Sequence, residues 1–229
     1  MSDAVRTALR GLGQTLITVG VVVLLFCVYE LKVTGLVTAR EQDRLGDDLR
    51  ASWAEPAPRP TGGAAVPELV PVSSDLGEGI AVLHVPALED YDPWVVVEGT
   101  SLSDLKAGPG HIPGTAMPGE VGNVVLSGHR TTYGAPFERF GDLPPGGLVV
   151  VETRDRWLSY TVTGSQIVAP TAIEVTYPVP GEQGAEPTER LLTLTTCHPK
   201  YSAQQRLIVS ATLTEERAKA DGPPADLEL

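Results

Sequence analysis

Cysteine is scarce in this chain, with only Cys27 and Cys197 among 229 residues. Cys27 lies in an apolar run and Cys197 far downstream in a polar, strand-rich region, so no disulfide framework is available to staple a core. Basic residues are also short: 17 Lys and Arg stand against 29 Asp and Glu, for a net charge of −12. That balance argues against a nucleic-acid partner, because phosphate neutralisation needs a basic surface. The acidic excess is read more simply as keeping a solvent-exposed domain soluble. The chain has no internal repeat, phosphate-binding glycine loop, dinucleotide fingerprint or His-Glu-x-x-His helix, which removes several common enzyme classes. A structural zinc site needs four Cys or His ligands, so one thiol outside the apolar run implies neither metal nor other cofactor.

Against these shortages stands one long uncharged run, Gly11 to Tyr29. Its length approaches the ~20 residues a helix needs to cross the hydrocarbon core. A cleaved signal peptide is the alternative, but the run exceeds the usual signal core, so an uncleaved anchor over 11–36 is expected. Arg6 and Arg10 precede it while Lys32, Arg40 and Arg44 follow, so the count of positive charges does not orient it. The short N-terminal flank favours residues 1–10 in the cytoplasm, an orientation that also rests on the resemblance given below. Residues 37–76 read as a juxtamembrane segment and linker. Leu45 and Leu49 sit at helical spacing in a charged stretch expected to be a solvated helix. Ala54 to Pro71 is rich in Pro and Gly and reads as a spacer holding the domain that follows off the membrane.

From Ile80 onward the pattern becomes short β-type runs between Gly and Pro turns. Eight qualify: Ile80–Val85, Trp94–Glu98, Asn123–Leu126, Leu148–Glu152, Trp157–Thr163, Gln166–Ala169, Leu191–Thr196 and Leu207–Leu213. A mainly β barrel or sandwich with few helices over 77–215 is expected, followed by a flexible tail over 216–229. Thr100-Ser-Leu-Ser-Asp-Leu-Lys carries helix N-cap chemistry, and Pro136 in Ala-Pro-Phe-Glu-Arg-Phe suits a first helical position.

Chemistry concentrates in the stretch Thr193-Leu194-Thr195-Thr196-Cys197-His-Pro-Lys-Tyr-Ser-Ala-Gln-Gln-Arg206. A strand ends on a thiol, and nine positions later an arginine opens another strand. A thiol attacks as thiolate, which a nearby cation stabilises, so this hairpin can build a nucleophile. Of the four histidines, His129 ends the apolar run Asn-Val-Val-Leu-Ser-Gly-His at a strand-to-loop junction, as a site residue does. His198 adjoins Cys197, but strand neighbours point to opposite faces. His84 reads as packed or exposed, His111 as structural or surface. Arg130 and Arg139 read as surface charges.

The Thr-Leu-x-Thr-Cys segment resembles the signature of sortases, the cysteine transpeptidases of Gram-positive cell surfaces. Cys197-His-Pro-Lys-Tyr-Ser, Ser-Gly-His129-Arg-Thr-Thr-Tyr-Gly-Ala-Pro-Phe and Gly108-Pro-Gly-His-Ile-Pro-Gly are similar to class E sortases of actinobacteria. The resemblance spans about Gly79 to Leu213 and implies an eight-stranded sortase barrel behind an N-terminal transmembrane helix. It implies Cys197 as nucleophile, His129 as acid and base, and Arg206 as the oxyanion or carbonyl donor. It also implies a Leu-Ala/Pro-x-Thr-Gly sorting signal on surface proteins, a peptidoglycan precursor amine as acceptor, and a single-pass membrane protein with its catalytic domain outside. Tyr133, Thr196 and His198 are expected at the substrate, and the 172–190 connection helps choose the sorting signal in this family. A thiol hydrolase, a non-catalytic β domain binding wall peptides, and a pilin-polymerising sortase remain open. The last is set back because the spacer lacks an Asp-Pro-aromatic lid; Asp92-Pro-Trp falls among the strands.

Overall fold

The structure, a computed structural model, describes residues 3–29, 34–54 and 77–227. Two helices precede the barrel: α1 (Asp3–Val28) and α2 (Thr34–Ala54). Helix α1 buries no side chain and is, among the described residues, the one helix long and apolar enough to cross a membrane. The Pro/Gly spacer falls almost wholly in 55–76, outside the described residues.

Eight strands follow: β1 (Gly79–His84), β2 (Trp94–Glu98), β3 (Gly110–His111), β4 (Gly122–Ser127), β5 (Leu148–Glu152), β6 (Arg156–Val168), β7 (Arg190–His198) and β8 (Gln205–Ala218). They close in the order β1-β2-β3-β4-β7-β8-β6-β5. The β2–β3 and β4–β7 pairs are parallel, the others antiparallel. Closure leaves no open sheet edge. Alternation along each strand fills the interior: Leu83, Val96, Leu126, Leu192, Leu194 and Val209 all lie in one buried cluster.

The expected barrel is present, with the strand count reached differently. Trp157–Thr163 and Gln166–Ala169 are one strand, β6, whose register slips between Val162 and Gly164. Gly164 marks an irregularity in the ladder, not a turn. The eighth strand is β3, two residues long and too short to alternate. Gly110 is required there, because a Cβ would lie 2.1 Å from the Gly99 carbonyl oxygen. Helix α3 (Leu102–Ala107) forms as its capping signal suggests, with Ser101 and Asp104 closing a capping box. Around Pro136 the chain makes turns leading to a 3-10 turn at Phe140–Asp142.

Both flanks differ from expectation. Helix α2 is packed on the barrel instead of solvated: Leu45 and Leu49 cluster with Val95 and Val97. Burying two leucines contributes about 1.5–3 kcal/mol each. Gln42 fastens the contact, donating to the carbonyls of Val95 (3.1 Å) and Ala107 (2.8 Å) while its own oxygen accepts from Val95 N–H (2.7 Å). Helix periodicity shows which side chains share a face, but not whether another surface meets it.

The segment expected as a tail packs against the barrel as far as Leu227. β8 continues to Ala218, and Lys219 lies over the rings of Trp157 (4.3 Å) and Trp53 (4.7 Å) while its ammonium meets Glu152. Leu227 is buried against Val150 and Trp157. Glu152 also pairs with His84 Nε2 at 2.8 Å, which makes His84 a packed residue. Burial pushes the Glu152 carboxyl up, but the bonds to His84 and Lys219 outweigh it and leave it below its ordinary range. The tail's polar composition concealed this, because its anchoring comes from residues more than sixty positions away.

Candidate active site

Register brings the hairpin residues together. Cys197 stands directly opposite Arg206 on the antiparallel β7–β8 ladder, and directly opposed side chains share a face. Leu192, Leu194 and Thr196 point into the barrel, so Cys197, Thr195 and Thr193 lie on its outer surface. Val168 of β6 opposes Arg206 and extends the same row.

β4 supplies the third side chain. Its parallel register with β7 pairs Ser127 with Thr195, and Gly128 N–H continues the ladder to the Thr195 carbonyl (3.2 Å). His129, two residues past Ser127, therefore leaves the sheet level with Cys197, two past Thr195. Thr196 locks this arrangement by donating its hydroxyl to the Gly128 carbonyl at 2.7 Å. At 3% exposure Thr196 is a tie between strands, not the substrate contact expected of it.

The loop after His129 folds back tightly, with Phe137 N–H donating to the His129 carbonyl. Tyr133, Gly134 and Ala135 all adopt left-handed backbone (φ 52, 74 and 51°), strain of a kind that collects at functional sites. Gly134 has no room for a side chain: a Cβ would lie 2.5 Å from the Trp94 ring. Tyr133 packs on His129 with ring centroids 5.0 Å apart, and Lys106 lies 5.6 Å from the Tyr133 ring centre. Burial lowers the His129 pKa, and the Lys106 ammonium lowers it further. The ring is thus kept neutral at higher acidity than a free imidazole, suiting it to accept a proton.

His198 turns the other way, as strand alternation requires. Its Nδ1 meets Arg130 Nη1 at 2.9 Å, and the same Arg130 nitrogen donates to the Cys197 carbonyl at 3.2 Å. His198 thus lines a separate groove of about 400 Å³ with Arg130, Ile167 and Leu207, on the opposite face of the strand from the thiol. Arg130, read from the sequence as a surface charge, instead clamps the histidine loop to β7. Nothing in its local sequence signals this, because both partners sit about 67 residues away. Arg206 Nη1 donates to the Ala203 and Gln205 carbonyls at 3.0 Å each, seating the guanidinium on the β7–β8 loop. His111 is structural: it is buried and bonded to Glu98 (2.7 Å), Ala116 O and Thr115.

A wall rises on the outer face below Cys197. Asn123 of β4, 1% exposed, donates to the Val175 (3.0 Å) and Tyr177 (3.1 Å) carbonyls and accepts from the Thr193 hydroxyl (2.8 Å). It ties the long β6–β7 connection to the strands that carry His129 and Cys197. A depression of about 240 Å³ opens there, lined by Thr115, Ala116, Asn123, Thr176 and Pro178. Among the described residues no group of His, Cys, Asp or Glu is arranged to hold a metal ion.

This constellation has counterparts. The Sortase domain family matches residues 83–214, which include His129, Cys197 and Arg206. The chain belongs to the sortase family. Sortase SrtE2 of Streptomyces coelicolor is 35% identical over 96% of this chain and 88% of its own length. Sortase SrtE1 of the same organism is 34% identical over 96% of this chain, which spans 61% of that relative's length. Among solved structures, sortase E from Streptomyces avermitilis is 40% identical, with a TM-score of 0.61 over 68% of this chain and all of that one. The SrtA sortase from Actinomyces oris is 36% identical, with a TM-score of 0.65 over 68% and 91%. The likenesses to SrtE1, SrtE2 and sortase E place this sortase with class E.

Proposed function

We propose that this sortase is a membrane-anchored cysteine transpeptidase, with α1 crossing the membrane once and the barrel outside the cell. It cleaves the Thr–Gly bond of a Leu-Ala/Pro-x-Thr-Gly sorting signal and passes the acyl group to an amine of a cell-wall precursor. The observation that carries this reading is the cross-strand pair Cys197–Arg206 with His129 leaving β4 at the same level.

In this reading His129 removes the Cys197 proton, and the thiolate attacks the threonine carbonyl carbon. A C–S bond forms while negative charge gathers on the carbonyl oxygen. Arg206 is the donor to that oxygen, leaving its own loop carbonyls to do so. Collapse breaks the C–N bond, and the imidazolium gives its proton to the departing glycine amine. An incoming amine then loses a proton to His129 and attacks the thioester, restoring the thiol. The peptide lies along the outer face below Cys197, against the connection that Asn123 holds. Sortase E1 of Streptomyces coelicolor has been solved with a tripeptide in its active site, in keeping with peptide binding at such a face.

The test is incubation of the full chain in detergent with Leu-Ala-x-Thr-Gly and Leu-Pro-x-Thr-Gly peptides, with and without an amine, read by mass spectrometry. Amine-dependent ligation is expected, with an acyl adduct on Cys197 and none in Cys197→Ala. Cleavage without transfer would make it a hydrolase, and turnover by Cys197→Ala would end the thioester mechanism. His129→Ala and Arg206→Ala should each lose about 10²–10⁴-fold in rate.

A further inference from the structure

We infer that α2 seats the barrel on the membrane with its catalytic end turned to the lipid headgroups. The inference rests on the reading of α1 as a membrane span and adds the orientation of the enzyme on its own bilayer.

The argument begins with the direction of α2. Its first turn lies against the histidine loop, where a Cβ at Gly35 would sit 3.7 Å from Gly134 N. One turn on, the Thr38 hydroxyl donates to the Lys106 carbonyl at 2.8 Å, the residue stacked over Tyr133. At the other end, the Ser52 carbonyl accepts from Arg154 at the β5–β6 turn and Trp53 meets Lys219. Helix α2 thus runs from the catalytic end of the barrel to the opposite end, a rise of about 31 Å for 21 residues.

Next comes reach. α1 ends at Val28 and α2 begins at Thr34, six residues later. Six residues span at most about 20 Å. The histidine loop is therefore held close to the end of α1, on the membrane side of the Pro/Gly spacer. The spacer joins α2 to β1 and sets no distance between the active site and the bilayer.

Exposure then decides how α2 meets lipid. Leu36 and Val37 of its first turn are 64% and 61% exposed. Beyond them its solvent face carries Asp43, Asp47, Asp48 and Arg50, which suits water and not a helix lying flat in the interface. Tyr201, 80% exposed, stands on the β7–β8 loop at the same barrel end and is a residue type enriched at membrane interfaces. Charge there is mixed: Arg40, Lys106 and Lys200 stand beside Glu41 and Glu138, with Glu41 paired to Arg44 and Lys200 to Glu138 at 3.2 Å. Apolar contact, not charge, therefore makes the seat, and its partner is the headgroup boundary of the bilayer that α1 crosses. A substrate tethered to that membrane would meet Cys197 near the depth at which it leaves the lipid.

The test uses the full chain in phosphatidylcholine/phosphatidylglycerol vesicles, with Cys27→Ala and Cys197→Ser as background. An environment-sensitive fluorophore is attached in turn through Leu36→Cys, Tyr201→Cys and Asp155→Cys, the last on the exposed β5–β6 turn. Headgroup-nitroxide lipid should quench the first two labels several-fold more than the third. Adding Leu36→Glu and Val37→Glu together should remove the quenching at the Tyr201→Cys label while circular dichroism stays unchanged. Equal quenching at all three sites in protein that floats with the vesicles would overturn the seating alone. Protein that fails to float would overturn the anchor reading and the seating with it, leaving catalysis on soluble peptides unaffected.

Discussion

Replacing Asn123 by alanine tests whether the long β6–β7 connection is held against β4 and β7 by one side chain. The amide makes three bonds, to Val175 O, Tyr177 O and the Thr193 hydroxyl, at 1% exposure. Each ordinary hydrogen bond contributes about 0.5–1.5 kcal/mol net, and a buried group left without its partner costs about 1–3 kcal/mol. The two carbonyls can turn to water once the connection loosens, whereas the Thr193 hydroxyl, also 1% exposed, loses its acceptor beneath that connection. A loss of about 2–3 kcal/mol is the result. For a domain of this size each kcal/mol moves the Tm by about 2–4 °C, so thermal unfolding in detergent should fall by about 4–12 °C. At a temperature where the variant is folded, KM for the sorting peptide should rise while alkylation of Cys197 by a small thiol reagent proceeds as before. An unchanged Tm, or an unchanged KM beside a lowered Tm, would show that the connection is held or used in some other way.

Three further outcomes follow from the geometry. Lys106→Gln removes a positive charge that helps hold His129 below its ordinary pKa, so the acid limb of kcat/KM should move to higher pH, while Lys106→Arg keeps it in place; identical profiles for both would remove Lys106 from the account. Gly134→Ala puts a Cβ into the Trp94 ring on a left-handed backbone, and should lower both Tm and activity; a wild-type Tm would mean the loop has room that the structure denies it. Glu152 is held below its ordinary pKa, so its contribution to stability is complete above the usual carboxylate range and is lost as pH falls through the lowered value. Glu152→Gln should therefore flatten the acid limb of the stability profile, measured by urea unfolding between about pH 3 and pH 6.

Local pattern was a sufficient guide wherever neighbours in sequence decide the outcome. Strand alternation in Leu191–Thr196 located β7, and a capping box located α3. It was insufficient where partners are distant. Thr196 looks like a site residue from its place beside Cys197, yet parity along the strand turns it inward to Gly128. His198 is turned by the same parity toward Arg130, a residue dismissed as a surface charge. Gly110–His111 has no periodicity to read and becomes a strand only because β2 and β4 flank it.

The one-dimensional order of residues was enough to specify a mainly β domain behind an apolar helix, with thiol, imidazole and guanidinium at strand ends. Those features depend on side-chain alternation and composition, which are local. Folding in three dimensions settled which strands lie side by side, and so that β4 and β7 run parallel and bring His129 level with Cys197. It also settled that α2 and the C-terminal segment grip the barrel instead of trailing from it. Such contacts join surfaces whose apolar faces are legible one at a time, while their pairing depends on closure of the whole barrel.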